Sequence, residues 1–320
     1  MANVNSDGLR SALFRLMAIC LVAVLTWSCA ASVGAGAGAG QEIYDSPQRA
    51  VDALIAAVRA DQTADLIRIF GPEGKPLVYS GDPVADGNDR DKFVAAYDEM
   101  NKVVAEGSDR AVLVIGKDSW PFPIPLVKQG ESWRFDTKAG AEEILDRRIG
   151  RNELSAIEVC RAYVDAQREY ASRDHRGDGL LEYAQHFMSR SAKQDGLYWP
   201  VPMGEAPSPM GPLVASARAE GYPAGDAHAK REPYHGYYYR ILKQQGKNAP
   251  GGAHDYVVEG RMIGGFALVA FPAQYGASGV MTFIVNQDGV VYQKNLGPDT
   301  ATIAPQMTEF DPDPSWKALQ

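Results

Sequence analysis

The sequence predicts an α+β protein of two domains, each with helices packed on a curved antiparallel sheet. Three observations predict it. Apolar residues recur at helical spacing at the start of each half. The period then changes to two, over 111–136 and again over 234–294. Gly-Glu and Asp-Gly turns join neighbouring period-two runs, which makes the sheets antiparallel. The 320-residue chain is 45% hydrophobic and 22% charged, which excludes wholesale disorder, collagen and coiled coil.

Residues 1–30 read as a signal peptide. Arg10 and Arg15 lie in a polar start, and an apolar run of about ten residues follows, from Leu16 to Leu25. That run is shorter than the ~20 apolar residues that span a bilayer. Small residues come next, and two cleavage sites fit, around Ser28-Cys29-Ala30 and Val33-Gly34-Ala35. Cys29 is also a candidate for lipidation, although Trp27 fits a lipobox poorly. Residues 31–41 are a Gly/Ala-rich flexible tether. Without residues 1–29 the charge moves from -8 to -9. An acidic chain has no basic field for a phosphate backbone, so nucleic acid is not an expected partner. Of three cysteines only Cys160 lies in the domains, on an apolar helix face, and it reads as an inert core thiol.

The first domain is placed at 42–148. Ser46-Pro47 opens a helix carrying Val51, Leu54, Ile55 and Val58. A short helix spans Thr63 to Phe70 and stops at Gly71-Pro72. The segment 71–90 reads as a loop, with Asp82 and Asp86 in it, and a third helix starts at Asp89. Strands follow at 111–115, 124–128 and 132–136, and a last helix at about 139–148. Helices before a bent sheet, with the hairpin Leu126-Val127-Lys128-Gln129-Gly130-Glu131-Ser132-Trp133-Arg134-Phe135-Asp136, resemble the cone fold of nuclear transport factor 2 and its relatives. That resemblance implies a pocket that Tyr97, Trp120, Phe122 and Trp133 would line. The same four rings also suit an ordinary packed core.

The second domain is placed at 149–320. A helix from Asn152 to about Tyr170 is followed by Asp174-His175-Arg176-Gly177-Asp178-Gly179-Leu180-Leu181-Glu182. On a calcium loop, Asp174, Asp178, the Leu180 carbonyl and Glu182 would be ligands, and Gly179 the tight turn. Arg176 at the third position and Gln185 at the twelfth depart from that pattern, and an Asp-Gly turn is the alternative. A short helix at 212–220 precedes strands at 234–242, 264–272, 280–286 and 290–294. In the run Tyr237-Tyr238-Tyr239, strand alternation sends Tyr238 to the opposite face from its neighbours. The order of helix, irregular segment and sheet, ending in Phe283-Ile284-Val285-Asn286-Gln287-Asp288-Gly289-Val290-Val291-Tyr292, resembles a pilin-like globular head. The polar helix at 152–170 disfavours polymerisation into a pilus.

Catalytic spacing is not found. The histidines at 175, 186, 228, 235 and 254 have no zinc-ligand spacing. Gly276-Ala277-Ser278-Gly279 lacks the spacer of a hydrolase elbow. Several segments together are similar to an exported bacterial family, domain of unknown function 2950. They include Gly81-Asp82-Pro83, Trp120-Pro121-Phe122-Pro123, Arg147-Arg148-Ile149-Gly150-Arg151-Asn152-Glu153-Leu154 and Pro233-Tyr234-His235-Gly236-Tyr237-Tyr238. The resemblance implies the periplasm or outer membrane of a Gram-negative cell, and no activity. The expectation is a non-catalytic binding or assembly protein. Its partner would be an envelope protein or small ligand, with no cofactor unless calcium binds and membrane contact only through a lipidated Cys29. The alternatives are a periplasmic enzyme, with its site in the cone or between the domains, and a calcium module.

Overall fold

Ser46 and Pro47 start the first helix as their chemistry dictates. In the computed structural model Arg49 donates its amide to Ser46 Oγ at 3.2 Å, and Pro47, with no N–H to lose, opens α1 (Pro47–Arg59). The structure describes residues 40–190, 193–202, 204–223 and 232–319. The expected signal peptide, Cys29, His228 and nearly all of the tether lie outside them. α2 (Thr63–Phe70) ends at Gly71, as expected.

The segment 71–90 is not a loop. A single 3-10 turn and α3 (Lys75–Val78) lead into α4 (Pro83–Glu99), which starts six residues before Asp89. Its start signal is Asp82-Pro83, a cap followed by a first-turn proline, the same chemistry as Ser46-Pro47. Ala85 donates its amide to Asp82 Oδ1 at 3.0 Å.

The first sheet comprises β1 (Asn101–Ala105), β2 (Arg110–Ile115), β3 (Trp120–Pro121), β4 (Leu126–Gln129) and β5 (Ser132–Phe135). Every pairing in it is antiparallel, in the order β1-β2-β4-β5 with β3 on β2. Its inner face meets α1 and α2 around Leu54, Ile69, Leu113, Leu126 and Phe135, all at most 2% exposed. Burial of each such side chain contributes ~1.5–3 kcal/mol.

One helix, α5 (Thr137–Tyr170), replaces the two expected at 139–148 and 152–170. Gly150 sits inside it and does not break it. The expected domain boundary at 148/149 thus falls within a continuous helix about 51 Å long at 1.5 Å per residue. Near its start Gly140 lies against the chain. A Cβ there would stand 2.2 Å from the Pro123 carbonyl oxygen, so only glycine fits.

The C-terminal half of α5 covers the second sheet. After α6 (Gly211–Ala219) come β6 (Tyr237–Leu242), β7 (Gln244–Gln245), β8 (His254–Asp255), β9 (Val257–Val258) and β10 (Arg261–Met262). β11 (Ala267–Pro272), β12 (Met281–Asn286), β13 (Tyr292–Asn295), α7 (Thr300–Ile303), β14 (Glu309–Phe310) and β15 (Lys317–Ala318) complete the order. The main sheet runs β15-β13-β12-β11-β6, all antiparallel, with β6 at its edge. Ala156, Cys160, Tyr163 and Val164 of α5 share a buried core with Phe266, Val269, Phe283 and Val285. Burial pushes the Cys160 thiol up to about 12, so it stays protonated. The molecule is α+β: its helices pack on antiparallel sheets.

Candidate functional site

Three of the segments that carry the family resemblance meet in space. Gly81-Asp82-Pro83 starts α4, Arg147 to Leu154 is the middle of α5, and Pro233 to Tyr238 enters β6. Between them lies a cleft of about 180 Å³, lined by Asp86, Asp89, Arg148, Asn152, Glu220, Tyr222 and His235 among others.

Asp82 is fully buried, and its carbonyl accepts the Asp86 amide at 2.9 Å. It caps α4, and its other carboxylate oxygen accepts the Tyr222 hydroxyl at 2.9 Å and the Gly236 amide at 2.8 Å. Its own amide donates to Ser80 Oγ at 3.3 Å. Asp86, 6% exposed, accepts the Ser80 amide at 3.0 Å. Arg148 donates to the carbonyls of Pro76 and Leu77 at 2.8 and 2.6 Å. Burial pushes the Asp86 carboxyl up and the Arg148 guanidinium down, each towards its neutral form, while their mutual attraction opposes both shifts. The Tyr222 hydroxyl is raised by burial and then by the charge of Asp82. The sequence reading of Asp82 and Asp86 as solvated loop residues is therefore corrected. Both are buried because α4 begins at residue 83.

His235 and Gly236 are the central residues of a turn closed by paired bonds between Tyr234 and Tyr237, at 2.9 and 3.1 Å. Both have positive φ, +49° and +74°, the pattern of a primed hairpin turn. A Cβ on Gly236 would stand 2.4 Å from Asn152 Nδ2. The turn holds His235 Nε2 against Glu220 Oε2, with both side chains partly exposed at the cleft mouth. Among the described residues of the cleft, this is the imidazole–carboxylate pair with an open side. Asp82 and Arg148 have their polar atoms tied to neighbours, and Asp89 is paired with Arg151 at 2.9 Å.

Tyr222 is also a wall of a larger groove of about 1170 Å³. One side is β6 from Tyr238 to Ile241. The other is α6 with Leu213, Val214 and Ala217, and the segment Gln185 to Met188. Tyr198, Met210 and Tyr234 add apolar surface, and His186, Arg240, Lys243, Glu232 and Asp255 are polar members of the lining. Burial pushes the His186 imidazole down, favouring its neutral form. Tyr239 faces the α5 side, with its hydroxyl 3.4 Å from the Tyr234 carbonyl, and Tyr238 packs on Phe271 across the sheet. The alternation expected for the three tyrosines holds.

The four rings expected around a cone pocket are packed. Phe122 touches Phe70, Phe93, Trp120 and Phe135, with centroids 5.5–6.4 Å apart. Tyr97, Trp120 and Trp133 lie half-buried against the same core, and Trp133 exchanges main-chain bonds with Tyr44. The segment from Asp174 to Glu182 is held by its own bonds. Asp174 accepts the amides of Arg176, Gly177 and Gly179 at 2.7–3.0 Å. Asp178 and the Leu180 carbonyl both accept Arg261. Glu182 pairs with Arg176, and its second oxygen lies 3.4 Å from Arg261 Nε, an ion contact outside hydrogen-bond geometry. Two guanidinium groups thus occupy Asp178 and Glu182, two of the three acids named as calcium ligands. Among the described residues no three His, Cys, Asp or Glu side chains converge to hold a metal. Neither set of residues was foreseen, because the cleft is assembled from separate segments around residues 80–92, 148–155 and 220–235, and the groove from the segment at 185–188, α6 and β6. The Asp82-Pro83 cap was the one local signal.

No helix among the described residues is long and apolar enough to cross a membrane. No curated protein and no solved structure matches the chain. The family described as Protein of unknown function (DUF2950) matches residues 41–319, and the chain belongs to it.

Proposed function

We propose that this member of the family is a binding protein of the cell envelope, and that the groove beside β6 is its binding face. The observation that carries the reading is the groove itself, about 1170 Å³ and walled by Tyr198, Met210, Leu213, Val214, Tyr234 and Tyr238. Concave apolar surface of that size with a few polar groups suits a ligand or a partner segment. Export is supported by the basic start, short apolar run and small residues of the first thirty positions. The test uses N-phenyl-1-naphthylamine as an apolar fluorescent probe. The dye should bind saturably, and Val214→Arg, which places a charge on the α6 wall, should abolish the signal without unfolding the protein. A linear, unsaturable response, or one that Val214→Arg leaves unchanged, would reject the reading. Cell fractionation of the wild type and Cys29→Ala tests the envelope location and its anchor.

A catalytic reading is favoured by one observation, the partly exposed His235–Glu220 pair. A carboxylate that orients an imidazole is a general-base arrangement. Hydrolysis of chromogenic ester or glycoside substrates that His235→Ala removes would support it, and equal rates in both proteins would reject it.

A further inference from the structure

We infer that the groove receives an extended polypeptide segment, which adds as a strand to the free edge of β6. This rests on the groove reading above and names the occupant. β6 is the last strand of its sheet, and among the described residues β11 is the one strand paired with it. The outer side is identified by its two ends. Tyr237 exchanges main-chain bonds with Tyr234, and the Lys243 carbonyl accepts the Tyr256 amide at 2.9 Å. The Gly236 carbonyl instead accepts Ala273, on the β11 side. Main-chain direction alternates along an antiparallel strand, so the N–H and C=O of Tyr239 and Ile241 share the outward direction of Tyr237 and Lys243. No hydrogen bond on that side to either residue's main chain is present among the described residues.

The turn at 234–237 brings a neighbouring stretch alongside β6 for one pair of bonds only. The next residue back is Pro233, which has no N–H, and no pairing beyond Tyr234 is present among the described residues. From Tyr237 to Lys243 the open edge runs about 20 Å at ~3.3 Å per residue, room for about five residues. Alternating donors and acceptors at that spacing match a second main chain. They do not match an acyl chain or a flat ring, which would leave the polar groups unmet. Among the described lining residues two cations, Arg240 and Lys243, are matched in number by two anions, Glu232 and Asp255, which favours a segment without net charge. Leu213, Val214 and Met210 favour apolar residues at every second position.

The probe is a set of twelve-residue peptides selected from a displayed random library on the purified protein. A selected peptide should compete with the dye and slow amide hydrogen exchange at Tyr239 and Ile241 by about tenfold or more. N-methylation of its alternate residues should weaken binding about tenfold in one phase and hardly at all in the other. Ile241→Pro removes one outward donor at a place where an edge strand tolerates proline. It should lose about tenfold in peptide affinity. Strand addition is overturned by a bound peptide that leaves the two amides exchanging freely, or by N-methyl effects without a period of two. It is overturned too if those amides are already slow in the protein alone, which would mean that another stretch of the chain or a second copy holds the edge. Dye binding that is sensitive to Val214→Arg, with no competing peptide, overturns strand addition and leaves the groove reading standing.

Discussion

The cleft and the groove share Tyr222 and are built in opposite ways. In the cleft, Asp82, Arg148 and Asn152 have partners from chain segments far apart in sequence, and Asp86 accepts the Ser80 amide. The Asp82 bonds fasten α4 to the entry of β6, and those of Arg148 and Asn152 fasten α5 to α3 and to the turn before β12. In the groove, the surface is mainly apolar, and the outward main-chain groups of Tyr239 and Ile241 on β6 have no partner among the described residues. Buried polar groups with all their bonds made are worth most as structure, because removing one leaves the others unmet. Unmet main-chain groups beside apolar surface are instead available to another molecule.

The strongest challenge to that contrast is Asp82→Ala. It removes the α4 cap and strands the Tyr222 hydroxyl and the Gly236 amide, and should cost about 3 kcal/mol or more in urea unfolding. A loss below ~1 kcal/mol would mean that the cleft is not the fastening described. Gly236→Ala should cost about 2 kcal/mol, from the clash with Asn152 and the positive φ. If the thermal midpoint does not move, the turn is looser than its geometry. Val214→Arg sharpens the contrast from the other side. It should change stability by less than ~1 kcal/mol while dye binding disappears, and a large drop in melting temperature would make the groove wall a structural element.

The smallest effect expected is one of pH. Asp86 has its carboxyl raised in the fold by burial, so its contribution is full below the ordinary carboxylate range and is lost as pH rises through the raised value. Wild type should therefore lose stability relative to Asp86→Asn between about pH 4 and pH 7. Urea midpoints across that range check it, and the opposite slope would mean that Arg148 outweighs burial.

The local signals were legible where one residue type has one physical use. Ser46-Pro47, the stop at Gly71 and the alternation of Tyr237, Tyr238 and Tyr239 all read directly from the sequence. The Asp82-Pro83 cap obeys the same rule, but the Gly, Pro and Asp content of 71–90 obscured it. Two helices, ending at Arg148 and starting at Asn152, were expected where α5 is continuous, because packing on both sides of it overrides one unfavourable residue, Gly150. The calcium pattern at 174–182 was an incomplete match, and Arg261, distant in sequence, could not be foreseen as the partner of its acids. The cleft and the groove depend on contacts between distant segments, and a single sequence carries no signal for these.

α5 has a consequence for how this protein comes apart. Its first turns are buried against the N-terminal core and its last turns against the C-terminal core, and no linker separates the two. A rigid rod shared by two cores couples their melting, so heat or denaturant should unfold both in a single transition. A protease that cuts at 148/149 would have to unwind the helix first. The same rod makes the halves poor candidates for exchange between genes, since each would leave with an uncovered helical face.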